Sequence, residues 1–350
     1  MAEPDKRPVT PVRGGSQAMP NPISQPETVN KLRSSVDAAF AMLAGMQLDL
    51  FTPLKAGPMT AEELGAAIGV GPARLPLLLY VLVVAGLLIE QDGRFSNTAE
   101  ANQFLVKGEP LYIGNRHAAM AMRWRENFKT ADSIRSGVPQ AKLDFSNAPP
   151  QELETFLRNI NASTVPSARA LLQTADFSSV KALLDVGCGG AGMAITITKA
   201  CPHIRATAVD LAQVAPIAQK IVIEEGAAER VKVVAADAVN GPLSGAYDAA
   251  VLRSFLQVLS AQDARRAMQN IGSVVNPGGK IFIIGQILDD SRRFPLDAVG
   301  FNLTSINFFD AGESYTESEH RDWLSGAGFV EVERSLLPDG GSLMTARKSE

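Results

Sequence analysis

The chain has 350 residues, of which 46% are hydrophobic and 20% are charged, and its formal net charge is −4 at pH 7. This length is sufficient for two domains with separate hydrophobic cores, and the composition is that of a globular protein. The weak negative charge gives no reason to expect nucleic acid or an anionic membrane surface as a partner.

The N-terminal residues 1–26 are rich in Pro, Gly, Ser and Gln, which predicts a disordered tail. The chain begins without the basic and apolar regions of a secretory signal. Its longest apolar run, residues 75–89, is too short to span a bilayer. We therefore expect a cytosolic protein.

Residues 27–110 have the pattern of a winged-helix domain. The predicted elements are a helix over 28–50, a short helix ending at Gly69, a helix over 72–85 and a hairpin over 87–95. Thr60 and Glu63 form a capping box that opens the short helix, and the hairpin turns at Asp92-Gly93.

A winged helix raises the alternative of a transcription regulator. A recognition helix should present several basic or amide side chains to the bases. The helix predicted over 72–85 carries one basic residue, Arg74, and is otherwise almost entirely apolar. This pattern favours packing against protein over binding to DNA.

Residues 111–174 predict connecting helices. Methionine and aromatic residues recur along them, including Met120, Trp124 and Phe156. These side chains either fill a core or form an apolar wall for a flat ligand, because such groups adapt to irregular shapes.

In residues 175–350 strands alternate with helices, which predicts a mostly parallel sheet covered by helices on both faces. The predicted strands are 183–186, 206–209, 231–235, 249–252 and 280–285. Two further strands, 329–334 and 342–346, are joined by a Pro-Asp-Gly-Gly turn and predict an antiparallel hairpin that closes the sheet. No spacing of His, Asp and Glu suggests a metal site.

The segment 182–192 is an apolar strand that breaks into glycines and enters a helix. Glycines allow a tight turn close to a ligand, and the exposed N–H groups of the helix start favour an electron-rich partner. The spacing of Gly187, Gly189 and Gly192 also fits the dinucleotide fingerprint, which alone is a weak signal. The segment therefore predicts a nucleotide-like cofactor.

Three acids discriminate between the cofactors. Asp185 precedes the glycines, Asp210 ends the next strand, and Asp237 follows the third, beside the small residue Ala238. Three acids at consecutive strand ends suit an adenosine ligand whose other end is a cation, whereas they would repel a pyrophosphate.

With these features the chain resembles the S-adenosylmethionine-dependent methyltransferases. It is most similar to the two-domain small-molecule O-methyltransferases, which have an N-terminal winged-helix dimerisation domain. The resemblance covers about residues 27–348 and rests on the motifs at 184–189, 209–211, 276–280, 316–319 and 326–329. It implies a Rossmann-like catalytic domain, a homodimer and S-adenosylmethionine as the cofactor. The implied cofactor-binding residues are Asp185, Gly187, Gly189, Asp210, Leu211, Asp237, Ala238 and Arg253.

The catalytic half departs from this family. The general base is usually a histidine four residues after a basic residue, and here that position holds Gln257. Two glutamates usually support the histidine, and Gln286 and Ser314 stand in their places. A glutamine amide can orient an oxygen by hydrogen bonding, but it cannot accept the proton.

Three explanations stay open for the missing base. The acceptor can be acidic enough to ionise unaided, another residue such as His117 or Asp297 can supply the base, or the fold can serve other chemistry. We expect methyl transfer to a hydroxyl of a small aromatic or polyketide-like acceptor. The alternatives are C-methylation of an acidic enol carbon and a repurposed cofactor-binding fold.

Overall fold

The computed structural model describes residues 25–142 and 148–350. Residues 1–24, which include most of the predicted tail, and residues 143–147 of the connecting segment lie outside that description. Within the described ranges, no helix combines the length and the apolar character needed to cross a membrane.

The chain alternates between helices and strands. The helices are α1 Glu27–Gln47, α2 Ala61–Ile68, α3 Leu75–Val84, α4 Ala99–Phe104, α5 His117–Asn127, α6 Thr130–Ser136, α7 Pro150–Thr174, α8 Gly192–Ala200, α9 Ala215–Glu224, α10 Ala261–Val274, α11 Leu296–Phe308 and α12 Glu317–Gly326. The strands are β1 Leu88–Gln91, β2 Arg94–Asn97, β3 Ala182–Val186, β4 Arg205–Asp210, β5 Val231–Ala235, β6 Tyr247–Arg253, β7 Val275–Gly285, β8 Ile287–Leu288, β9 Tyr315–Thr316, β10 Phe329–Leu336 and β11 Ser342–Lys348.

The N-terminal unit has the predicted order of three helices and a hairpin. Thr60 and Glu63 form the predicted capping box of α2, and Gly69 ends the helix in the left-handed conformation. The third helix begins at Leu75 rather than at residue 72, with Pro76 in its first turn, where a proline fits because no helical N–H bond is needed. Leu79 and Leu82 of α3 are fully buried in the core of this unit.

The central sheet has the order β10-β11-β7-β6-β3-β4-β5. The five strands β3 to β7 run parallel, and β10 and β11 add the predicted antiparallel hairpin at one edge. The chain extends the sheet from β3 through β4 to β5 and then returns to the other side of β3 with β6. This reversal leaves a crevice at the carboxyl ends of β3 and β6, where open α/β sheets bind their ligands.

Both faces of the sheet are covered. Successive residues of a strand point to opposite faces, and Leu183 and Leu184 accordingly belong to two different hydrophobic clusters. Leu183 packs with residues of α7, α8 and α9, whereas Leu184 packs with residues of α10 and α12. The sheet is thereby fixed between two helical layers, and its carboxyl edge becomes the platform for the site.

Candidate functional site

Gly187 lies at the crevice between β3 and β6. Its φ is 63°, and a Cβ added there would lie 2.4 Å from Cδ2 of Phe255, which follows β6. A side chain would therefore be strained in its backbone and would collide with the aromatic ring. The glycine predicted from the sequence is required here by both conformation and space.

Asp210 holds the glycine turn in place. Its Oδ2 accepts the N–H of Gly189 at 2.8 Å, and its Oδ1 accepts the N–H of Leu211 at 2.8 Å. Gly189 has a φ of 54° and so also needs the left-handed conformation. Burial raises the pKa of Asp210, and these two hydrogen bonds oppose the rise.

Asp185 lies beneath the turn. It is only 1% exposed, and its Oδ2 accepts the N–H of Ala194 in the first turn of α8 at 3.0 Å. Burial raises the pKa of Asp185 to about 7; the hydrogen bond from Ala194 opposes this rise and the charge of Asp210 adds to it. The structure therefore gives Asp185 a position that fixes the start of α8, below the surface of the crevice.

Asp237 follows β5 and closes its own turn. Its Oδ1 accepts the N–H groups of Val239 and Asn240, and its Oδ2 accepts Nδ2 of Asn240 at 2.9 Å. Partial burial raises the pKa of Asp237, but these hydrogen bonds outweigh that effect and lower it overall. Ala238 beside it is buried, while Leu211 is exposed.

Helix α7 covers the glycine turn, a contact that the sequence did not reveal. Nδ2 of Asn161 donates to the carbonyl of Gly190 at 3.0 Å. A Cβ on Gly190 would lie 2.4 Å from that nitrogen, and a Cβ on Gly192 would lie 2.8 Å from Oδ1 of Asn161. Oδ1 is buried and has no hydrogen-bond partner among the described residues. These two glycines thus make room for Asn161.

Arg253 ends β6 on the other side of the crevice. Its Nη2 donates to Oγ of Ser163 on α7 at 2.9 Å. The pKa of Arg253 is lowered to about 10, mainly by burial and also by the neighbouring charge of Arg116, while Asp339 opposes this effect. Within residues 25–142 and 148–350, neither arginine forms an ion pair with an acid. Arg253 is therefore available to a carboxylate.

Gln257 is 6% exposed, and its carboxamide has a defined polarity. Oε1 accepts the main-chain N–H of Gln286 at 2.9 Å, and a Cβ on Gly285 would lie 2.6 Å from the same oxygen. Because a main-chain N–H can only donate, the oxygen is fixed on that side. Nε2 has no partner among the described residues and is the end that can interact with a ligand.

The two other predicted acceptor-side residues differ in position. Gln286 is half-buried and follows β7. Ser314 is fully buried, its hydroxyl donates to the carbonyl of Ala298 at 2.6 Å, and its N–H donates to Oδ1 of Asn302 at 2.8 Å. These bonds attach the segment before β9 to α11. Through Gly312, whose added Cβ would lie 2.6 Å from the carbonyl oxygen of Gln257, the same segment supports Gln257.

The two alternative bases are also placed. Asp297 lies in the first turn of α11 and is exposed to solvent, next to the buried Ala298. His117 begins α5 and is half-buried, and its Nδ1 is buried without a partner among the described residues. His117 therefore retains a free ring nitrogen, whereas Asp297 lies on the outer surface of its helix.

The residues at the crevice fit S-adenosylmethionine. The left-handed glycines form a close cradle, and Asp210 lies at the strand end where a ribose is expected. Arg253 offers a guanidinium without an acidic partner among the described residues to the carboxylate of the amino-acid end. The carboxylates of Asp210 and Asp237 suit a cation and disfavour a pyrophosphate.

Two family models match the chain. Residues 133–330 match an O-methyltransferase domain, and residues 32–107 match an O-methyltransferase dimerisation domain. Together they cover the five parallel strands with the crevice and most of the N-terminal helical unit.

Full-length similarity extends to individual proteins. The 3-hydroxy-5-methyl-1-naphthoate 3-O-methyltransferase of Streptomyces sahachiroi is 28% identical over 331 residues, 91% of this chain and 94% of that protein. The tetracenomycin polyketide synthesis 8-O-methyltransferase TcmO of Streptomyces glaucescens is 26% identical over 337 residues, which are 93% of this chain and 98% of that protein. The structure of human N-acetylserotonin methyltransferase in complex with SAM superposes with a TM-score of 0.75 and 20% identity, covering 95% of this chain and 100% of that one.

Proposed function

The chain belongs to the O-methyltransferase family and is an S-adenosylmethionine-dependent methyltransferase, and on that premise we propose that it methylates a hydroxyl of a small aromatic or polyketide-like acceptor without a histidine base. Two relatives act, by their names, on a hydroxynaphthoate and on a polyketide intermediate. The bound cofactor supplies a methyl group on a sulfonium, which is already a good leaving group.

The polarity of the Gln257 amide carries this proposal. Since Oε1 accepts the N–H of Gln286 at 2.9 Å, Nε2 presents a hydrogen-bond donor to the acceptor. A donor stabilises an oxygen that is already anionic and cannot remove a proton from a neutral hydroxyl. The acceptor that fits is therefore a hydroxyl acidic enough to ionise in the site.

The other site residues take supporting roles in the proposal. Asp210, Leu211, Asp237 and Ala238 bind the adenosine part, and Arg253 binds the carboxylate of the cofactor. Gly187 and Gly189 allow the close approach of the backbone, with Asp185 fixing the helix behind them. Gln286 lines the acceptor side, and Ser314 positions Gln257 through the segment that it anchors to α11. Alignment of the acceptor oxygen with the methyl group then provides most of the rate enhancement.

We propose that the protein forms a homodimer through its N-terminal domain. We assign residues 27–110 to dimerisation, 111–174 to the connecting helices of the acceptor pocket and 175–350 to the cofactor-binding domain. Leu77 and Val84 of α3 are 72% and 89% exposed in the isolated chain. Several apolar residues of α1 are exposed as well. An apolar face of this kind is typical of a protein–protein interface.

The pH dependence of the reaction tests the proposal. Methyl transfer from labelled S-adenosylmethionine is measured across naphthols and nitrophenols of graded acidity. If the acceptor ionises unaided, kcat/KM rises with pH up to the pKa of each acceptor, and the inflection moves from one acceptor to the next. An enzymatic base such as His117 would give one fixed inflection for all of them and would contradict the proposal.

A variant pair tests the role of the amide. Gln257→Leu removes the donor at similar volume, together with the acceptor of the Gln286 N–H, and we expect kcat/KM to fall by at least about 10- to 100-fold, the effect of a hydrogen bond to a charged group. Gln269→Leu, the same change on the exposed face of α10, should leave it unchanged. Gln257→His should raise activity on weakly acidic phenols.

The products decide between the alternatives. NMR of the product locates the new methyl group, and a methyl on carbon would replace O-methylation with C-methylation of an acidic enol. Binding of S-adenosylhomocysteine without any label transfer across phenols and enols would indicate a repurposed fold.

A further inference from the structure

The carboxamide of Asn161 forms a hydrogen bond through its nitrogen, whereas its oxygen has no hydrogen-bond partner among the described residues. Nδ2 donates to the carbonyl of Gly190 at 3.0 Å, which fixes the orientation of the amide. Oδ1 is buried and has no hydrogen-bond partner among the described residues. A buried acceptor without a donor is costly, so an acceptor of this kind at a ligand site indicates a donor on the ligand.

The neighbouring acceptors each have a hydrogen-bond partner among the described residues. Asp185 is sealed beneath the turn at 1% exposure and bonds Ala194. Both carboxylate oxygens of Asp210 accept main-chain N–H groups, and the carbonyl of Gly190 accepts Asn161. Of the polar side chains described at the glycine turn, Asn161 is the one that retains an idle buried acceptor.

Helix α7 also orients the guanidinium of Arg253. Ser163, two residues after Asn161, accepts Nη2 of Arg253 at 2.9 Å. Within one helical turn, α7 therefore supplies an idle acceptor and holds a guanidinium that lacks an acidic partner among the described residues. A zwitterion with one ammonium and one carboxylate complements this pair of groups.

We propose that Oδ1 of Asn161 accepts a hydrogen bond from the α-ammonium of the cofactor and so makes α7 a specificity element for its amino-acid end. This role of Asn161 does not depend on which methyl acceptor binds or on how the acceptor oxygen loses its proton.

Calorimetric titration with two probes tests this role. S-adenosylhomocysteine carries the amino-acid end, whereas 5′-methylthioadenosine has the same adenosine thioether without it. Asn161→Leu should weaken binding of S-adenosylhomocysteine by about 10- to 100-fold and leave that of 5′-methylthioadenosine within about threefold. Asn159→Leu, the same change at an exposed position of α7, should alter neither affinity.

A second variant separates ligand binding from support of the turn. Asn161→Asp keeps an acceptor oxygen but cannot donate to the carbonyl of Gly190. We expect its preference for S-adenosylhomocysteine over 5′-methylthioadenosine to equal or exceed that of the unmodified protein. Equal losses for both probes in both variants would show that Asn161 only supports the turn. Unchanged affinity for S-adenosylhomocysteine in Asn161→Leu would also overturn the proposal.

Discussion

Replacement of Asp185 by Asn should change how the stability of the protein depends on pH. Burial raises the pKa of this carboxyl from the ordinary 3.8 to about 7. Between about pH 4 and pH 7 the folded protein therefore still holds a proton on this carboxyl, whereas the unfolded chain has already released it. The unfolded state binds fewer protons in this window, so the free energy of unfolding falls as pH rises.

The magnitude follows from the size of the shift. About three pH units at about 1.4 kcal/mol each correspond to an upper limit of about 4 kcal/mol between the two pKa values. Between pH 5 and pH 7 the loss should be about 2–3 kcal/mol. Asn at position 185 does not ionise, while its oxygen can still accept the N–H of Ala194 at the start of α8. We expect Asp185→Asn to lose this component of the pH dependence.

Urea denaturation at pH 5, 6, 7 and 8, at one protein concentration, measures the difference between the two proteins. The difference should grow with pH in favour of Asp185→Asn. Asp248→Asn is the matched control: partial burial raises the pKa of Asp248, but hydrogen bonds from Ala182, Lys181 and Asn276 lower it overall. Its stabilising effect is complete above pH 5, so the control should give a constant difference. A constant difference for Asp185→Asn as well would refute the assigned ionisation.

Two further substitutions probe the crevice and the N-terminal face. Gly187→Ala places a Cβ at φ 63° and 2.4 Å from Phe255, so we expect a lower melting temperature and at least about tenfold weaker binding of S-adenosylhomocysteine; Gly300→Ala, with nothing within 4 Å of its added Cβ, should be neutral or slightly stabilising. Leu77→Asp, at a position 72% exposed, should shift the protein from dimer to monomer in sedimentation, and a dimer of unchanged stability would remove α3 from the proposed interface.

Local patterns were sufficient to predict much of the fold. The capping box at Thr60 and Glu63 and the strand–turn–helix around Gly187 depend on residues close in sequence. The alternation of strands and helices likewise predicts the parallel sheet, because a parallel pair needs a crossover. The carboxyl edge of the sheet is therefore predictable from the sequence.

The contacts between distant segments could not be predicted in this way. Asn161 meets Gly190 only because α7 packs over the turn, and the helical period reveals a buried face without its partner. The polarity of the Gln257 amide depends on the N–H of Gln286, and the burial of Ser314 depends on how α11 docks. These details decide the chemistry, and they arise from tertiary packing.

The polar groups along the carboxyl edge of the sheet suit a cationic methyl donor and an anionic methyl acceptor. Asp210 ends β4, whereas Arg253 ends β6 and the amide of Gln257 lies in the segment after β6. In the proposed site the sulfonium is stabilised on the side of Asp210, and an ionised hydroxyl is stabilised by the hydrogen-bond donor of Gln257. A histidine base would serve a neutral hydroxyl, but an acceptor that arrives as an anion needs a hydrogen-bond donor. The neutral Gln257 is therefore consistent with methyl transfer in a site that selects acidic acceptors.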